Sequence, residues 1–214
     1  MMFYECPMGT NTQEDMVDKF NIREIVEYDR YCRDYNHYEE MRSLYYDDAS
    51  VGVSWTKGGI NNYVEGSKVN NAKAPAKHKI FDVVIWKHEN RAIAESIQSI
   101  QIRCPLEGDV VDLATHMRKH YRLEKRENVW KIVSAEPIYE KDTMFSAYAD
   151  GTFCPDREEL AALRPSYANL MYRRIKYGGH PDNTCAGEDK PEIVEKLYRE
   201  SSIWLGVMDQ SEPL

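Results

Sequence analysis

The sequence lacks the marks of several functional classes. No apolar run approaches the roughly 20 residues that a membrane-spanning helix needs, so no membrane segment is expected. Met1 to Phe20 contains no uninterrupted apolar stretch, which argues against a secretory leader and for a cytoplasmic setting. The cysteines Cys6, Cys32, Cys104, Cys154 and Cys185 are odd in number and include no C-x-x-C pair. That pattern suits neither a disulfide framework nor a zinc ribbon. Positive charge is also short, and a net charge of −8 offers no basic field for nucleic acid phosphates. No G-x-S-x-G, H-E-x-x-H, phosphate-loop or G-x-G-x-x-G fingerprint occurs, so the chemistries those motifs carry have no support.

What is present is enough apolar content for a core, at 42% of 214 residues. Tyrosine outnumbers phenylalanine by 15 to 5, which suits a polar aromatic pocket or a wet interface, since tyrosine packs as phenylalanine does but carries a hydroxyl.

A loose polar start leads into a helical pattern from Glu14 to about Arg33, where Phe20, Ile22, Ile25 and Val26 recur at helical spacing. Asp34-Tyr35-Asn36 interrupts it, and a short helix follows from His37 to about Tyr45. Ser50–Trp55 reads as a strand with Val51, Val53 and Trp55 on one face, ended by a turn at Gly58-Gly59. A further helix is expected from Asn61 to about Ala72. His78–Lys87, Ala92–Cys104, Val110–Glu124 and Val129–Tyr139 then form an antiparallel meander. Helices followed by long strands at hairpin spacing indicate an α+β fold with one curved sheet. The tail reads as helices at Asp156–Leu163, with Asp156 as N-cap, at Ser166–Tyr177 and at Pro191–Val207, with a polar loop over Gly178–Lys190.

Few residues carry candidate chemistry. Asp34 closes the first helix, where the helix dipole opposes a carboxylate. His78 opens the first long strand, on a face shared with Ile80, Asp82, Val84 and Trp86, and a neutral imidazole there is a base at neutral pH. On Val110–Glu124 the more apolar face Val111, Leu113, Thr115, Met117, Lys119, Tyr121, Leu123 should look into the hollow of the curved sheet, placing Lys119 and Tyr121 in a pocket. The opposite face, which includes Asp112, His116, Arg118, His120 and Arg122, should meet solvent or a neighbouring subunit. His116 and His120 lack a third ligand, so no metal site is expected. Asp29 sits on the apolar side of the first helix, where it either pairs with Arg33 or lines the cavity, as do Tyr28 and Tyr31 in the second case. Arg173, Arg174 and Lys176 read as a solvated helix face.

Three segments, CRDYNHYEEMRSLYYDDASV (32–51), KHKI (77–80) and YRLEKRENVWKIV (121–133), occur in the order found in the SnoaL-like (nuclear transport factor 2-like, NTF2-like) superfamily. Over residues 14–142 the chain resembles its lyase branch, which includes scytalone dehydratase, bile acid 7α-dehydratase and γ-hexachlorocyclohexane dehydrochlorinase. The resemblance implies a cystatin-like cone, a curved mixed or antiparallel sheet packed on N-terminal helices. The expected N-terminal arm over 1–13 and helical extension over 143–214 lie outside the resemblance, and the extension has no counterpart in the smallest relatives. The resemblance also implies a homotrimer acting without cofactor or metal on a bulky cyclic or aromatic small molecule, with Asp34 and His78 as the proton-abstracting dyad.

Val53, Trp55, Gln101, Arg103, Lys119 and Tyr121, with Tyr28, Asp29 and Tyr31, are the expected pocket residues. Arg33 replaces the tyrosine that precedes the aspartate in scytalone dehydratase. Gln101 falls near that enzyme's second histidine and Lys119 near its asparagine, so the leaving-group machinery differs. Dehydration is the expected outcome. The alternatives are formaldehyde release from a lignin-derived diarylpropane, a ketosteroid-type isomerase using Asp29 and Tyr31, or a non-catalytic ligand-binding or assembly domain.

Overall fold

A computed structural model describes Tyr4 and residues 11–211. Cys6 and most of the predicted 1–13 arm lie outside the described residues. Helix α1 (Gln13–Tyr35) starts at a capping box, in which the Thr12 hydroxyl accepts from the Asp15 N–H and the Asp15 carboxylate accepts from the Thr12 N–H. It ends at Asn36, which adopts a left-handed φ of 67°. Asp34 therefore lies within the last turn and not beyond it. Ile22 and Val26 are fully buried along this helix, whereas Phe20, expected in its apolar stripe, is 62% exposed.

The short α2 (Tyr38–Ser43) leads into β1 (Tyr45–Val53) and β2 (Thr56–Gly59), so Gly58 and Gly59 belong to a strand and Trp55 to the turn before it. Helix α3 (Ile60–Lys73) precedes four long strands, β3 (Ala76–His88), β4 (Arg91–Leu106), β5 (Asp109–Arg126) and β6 (Val129–Ser146). The sheet order is β2-β1-β6-β5-β4-β3. The meander β3–β6 is antiparallel throughout, and β1 joins β6 in parallel, making one mixed sheet.

A bulge at Phe81 changes which residues of β3 face inward. Ile80 pairs with Gln98 and Asp82 with Ile97, leaving Phe81 as the extra residue. His78 and Ile80 point inward before it, and Val83 and Ile85 after it, while Val84, Asp82 and Phe81 are exposed. The continuous face expected from His78 to Trp86 is thus broken, and Trp86 packs on the outer side of the sheet.

The main core lies between α1, α3 and the inner face of the sheet, through Ile22, Val26, Tyr63, Val83, Tyr121 and Ile132. A second core closes the wide end of the cone. There α5 (Ala168–Lys176), preceded by a 3₁₀ turn at Pro165–Tyr167, lays Leu170 and Met171 on Ile102, Leu113, Met117 and Tyr139. The short α4 (Arg157–Ala161) is capped by Asp156, as its sequence indicates. The two-residue β7 (Ala186–Gly187) then pairs with β6.

The last helix, α6 (Pro191–Leu205), returns to the outer face of the sheet. This corrects the expectation that the polar face of β5 meets solvent or another subunit. His120 is buried beneath α6, with Glu95 Oε1 3.0 Å from its Nδ1 and Ser201 Oγ 2.8 Å from its Nε2. No helix is long and apolar enough to cross a membrane among the described residues.

Candidate active site

The end of α1 and the start of β3 meet at the mouth of the cone. Asp34 Oδ1 lies 2.7 Å from His78 Nδ1, and Asp34 Oδ2 accepts the backbone N–H of His78. The aspartate thus fixes both the ring and the main chain that carries it. The dipole cost of a carboxylate at a helix C-terminus is offset locally. Lys77 Nζ donates to the Asp34 carbonyl oxygen, and Arg33 Nη1 stands 3.5 Å from Asp34 Oδ1.

Both side chains of the pair are almost wholly buried. Burial lowers the His78 pKa to about 4, against the pull of Asp34 and with the help of the Arg30 charge. Burial also opposes ionisation of Asp34, but its bonds to His78 outweigh that and hold its carboxyl below the usual range. At neutral pH the imidazole is neutral. With Nδ1–H donating to the carboxylate, Nε2 keeps its lone pair and has no protein partner among the described residues.

His78 lines a cavity of about 90 Å³. Arg30, Arg33, Tyr63 and Asn70 form its helical wall, and Val53, Ser54 and Trp55 come from the β1–β2 corner. Ile100, Ile102 and Tyr139 supply the sheet side, and Leu170, Met171, Arg173 and Arg174 of α5 close the mouth. Trp55 stacks on Tyr63 with ring centroids 5.4 Å apart.

One layer deeper lies a buried ionic cluster. Asp29 is fully buried and accepts from Arg30 Nε at 3.0 Å and from the hydroxyls of Tyr45 and Tyr121 at 2.9 Å each. Arg30 also donates to the Tyr63 hydroxyl at 2.9 Å. Lys119 Nζ sits 3.8 Å from Asp29 and 5.2 Å from the centre of the Tyr63 ring, with no hydrogen-bond partner. Burial, and then the charge of Arg30, lower the Lys119 pKa. Burial would raise the Tyr63 phenol, but Arg30 and Lys119 pull it down to about 8. Tyr63 therefore combines three properties of a proton donor: it lines the cavity, its acidity is enhanced, and its oxygen is held by a guanidinium.

Of the expected residues, Asp34, His78, Val53 and Trp55 are assembled here, whereas Lys119, Tyr121 and Asp29 form the layer behind. Asp29 pairs with Arg30, not with Arg33. Tyr28 and Tyr31 do not line the cavity. They are 45% and 50% exposed on the opposite side of α1, 5.9 Å apart in a stack of their own. Gln101 and Arg103 alternate with the inward Ile100 and Ile102, so they sit on the outer face, where Arg103 pairs with Asp112. The isomerase arrangement is not assembled either, because Asp29 is enclosed by its partners and Tyr31 is outside. No cluster of metal-ligating side chains exists among the described residues. Tyr63, Arg30, Arg33, Asn70, Ser54, Arg173 and Arg174 were not signalled as site residues by sequence. The only sequence hint for Tyr63 is Gly66 one turn later, where an added Cβ would meet Trp55 Cζ3 at 2.2 Å.

Helices followed by one curved mixed sheet, with helices again at the C-terminal end, make an NTF2-like, cystatin-like α+β fold. One of the solved structures it resembles is a proposed scytalone dehydratase from Novosphingobium aromaticivorans, at a TM-score of 0.53 and 18% identity, over 69% of this chain and 99% of that one. Another is a cystatin-like protein of unknown function from Nostoc punctiforme, at a TM-score of 0.48 and 15% identity, over 56% of this chain and 90% of that one. No family model and no curated protein matches the sequence.

Proposed function

We propose that this chain is a lyase that uses no cofactor and removes a proton from a cyclic or aromatic small molecule through the Asp34–His78 dyad. The observation that carries the reading is the 2.7 Å contact between Asp34 Oδ1 and His78 Nδ1 in a buried cavity wall. It leaves a neutral Nε2 as the free base. In the favoured reaction, His78 Nε2 takes a proton from carbon and the C–H electron pair becomes a new C=C bond. The neighbouring C–O bond breaks, and Tyr63 delivers its proton to the departing oxygen as water forms. The Tyr63 phenolate then recovers a proton from the His78 imidazolium through solvent. Alkene and water are the products, and both residues return to their starting states. Release of formaldehyde uses the same base: His78 Nε2 takes the hydroxyl proton, C=O forms as the C–C bond breaks, and that electron pair makes a C=C bond as a neighbouring hydroxyl, protonated by Tyr63, leaves as water.

The cavity is narrow and, at about 90 Å³, has room for a few waters or one small group. Entry of a ring therefore requires α5 to move from the mouth, and its return excludes water during proton transfer. A homotrimer belongs to the same proposal and is read by light scattering. The chemical test compares wild type with Asp34→Asn and His78→Ala on a panel of β-hydroxy carbonyl and phenolic substrates. Loss of product in both folded variants supports the reading, and full turnover in both ends it. Product analysis separates water loss, formaldehyde release and isomerisation.

A further inference from the structure

The cavity walls carry four guanidinium groups, and two of them are unbalanced. Arg30 is neutralised by Asp29, and Arg33 lies against Asp34 and donates to Asn71 at 3.1 Å. Arg173 and Arg174, adjacent on α5, have no carboxylate within 4.0 Å among the described residues, although both line the cavity and the charge of Asp182 is felt at Arg174. Arg173 Nε is buried without a hydrogen-bond partner, and its guanidinium lies 4.5 Å from the centre of the Tyr177 ring. Arg174 Nε donates only to the His180 carbonyl, at 2.9 Å. Two like charges side by side, partly withdrawn from water, cost stability unless an anion meets them. The protein as a whole is acidic, with a net charge of −8, so this local excess is not a by-product of composition.

We propose that the substrate carries a carboxylate, held by Arg173 and Arg174 as α5 closes over the cavity. A planar carboxylate takes paired N–H donors from guanidinium groups. The anion would satisfy the orphaned Arg173 Nε and draw the helix onto the mouth, so that substrate charge and cavity closure are coupled. The remainder of the substrate then extends toward Trp55, Tyr63 and His78. This assignment rests on the cavity being the substrate site, as proposed above. It does not rest on the chemistry of the dyad.

The experiment is calorimetric titration with propionate, benzoate and cinnamate, each against its primary amide. Wild type should bind at least one carboxylate tenfold or more tightly than the matching amide. Arg173→Gln and Arg174→Gln should each remove that preference while leaving amide binding in place. Arg157→Gln, on exposed α4, is the control for net charge and should keep the preference. Asp34→Asn and His78→Ala should also keep it, so a failed dyad leaves this result intact. Equal binding of acid and amide, absence of saturable carboxylate binding, or a preference that survives both glutamine variants overturns the proposal.

Discussion

Asp34 and His78, 44 residues apart in sequence, meet with Oδ1 and Nδ1 at 2.7 Å, and the same carboxylate takes the backbone N–H of His78 through its other oxygen. This double hold turns the ring so that Nε2 is the free nitrogen. Replacing Asp34 by Asn removes the acceptor that selects the tautomer. Turnover should fall by about 10²–10⁴-fold, the usual contribution of a positioned general base, with little change in KM. Steady-state kinetics of the folded variant check this.

The pH profile of kcat/KM should be bell-shaped. The rising limb belongs to His78, near about 4, and the falling limb to Tyr63, near about 8. Lys119→Met removes one of the three cations (Arg30, Lys119 and Arg33) that acidify Tyr63, so the falling limb should move to higher pH. Lys119 Nζ is buried with no hydrogen bond and only a long 3.8 Å contact to Asp29, which keeps Arg30, so the same change should leave thermal stability equal or raised.

Asp29→Asn should be the most damaging single change in the interior. It leaves Arg30 buried with its countercharge gone, at a cost on the order of 3–5 kcal/mol. Denaturant unfolding measures it.

Acid should weaken the fold through His78. Its folded pKa of about 4 lies below the ordinary 6.5, so the unfolded chain takes up the proton first. The stability from keeping the ring neutral is complete above pH 6.5 and is lost as pH falls from there toward about 4. Asp34, whose pKa is also lowered, acts in the same direction below 3.8. In His78→Gln the decline across the upper part of this range should be shallower, as read by thermal melts at stepped pH.

Gly66→Ala should disturb the cavity without touching a polar group. The new methyl meets the Trp55 ring, so the ring must shift from its stack on Tyr63. A loss of about 1–3 kcal/mol and a change in tryptophan fluorescence are expected.

The fold was legible where patterning was simple. Most of β5 alternates in burial along its length, and Ile22 and Val26 mark the buried face of α1. The contact between Asp34 and His78 was legible through resemblance, since neither residue declares a partner by itself. Tyr28 and Tyr31 were misplaced because a helix turns about 100° per residue, which carries them away from Asp29 to the opposite side. Gln101 and Arg103 failed by one step of strand parity. Phe81 gave no warning that a bulge would exchange the faces of β3. Arg173 and Arg174 resemble an ordinary solvated face, and only the return of the C-terminal segment over the cone mouth brings them to the cavity. For the same reason His120 looked exposed: nothing local announces that α6 will cover it.

The most direct measurement is ¹⁵N NMR of the His78 imidazole across pH in the protein without substrate. The account predicts the Nδ1–H tautomer at neutral pH, with Nε2 unprotonated and titration near about 4. An Nε2–H tautomer, or titration at the ordinary histidine value, would contradict a neutral base held ready by Asp34.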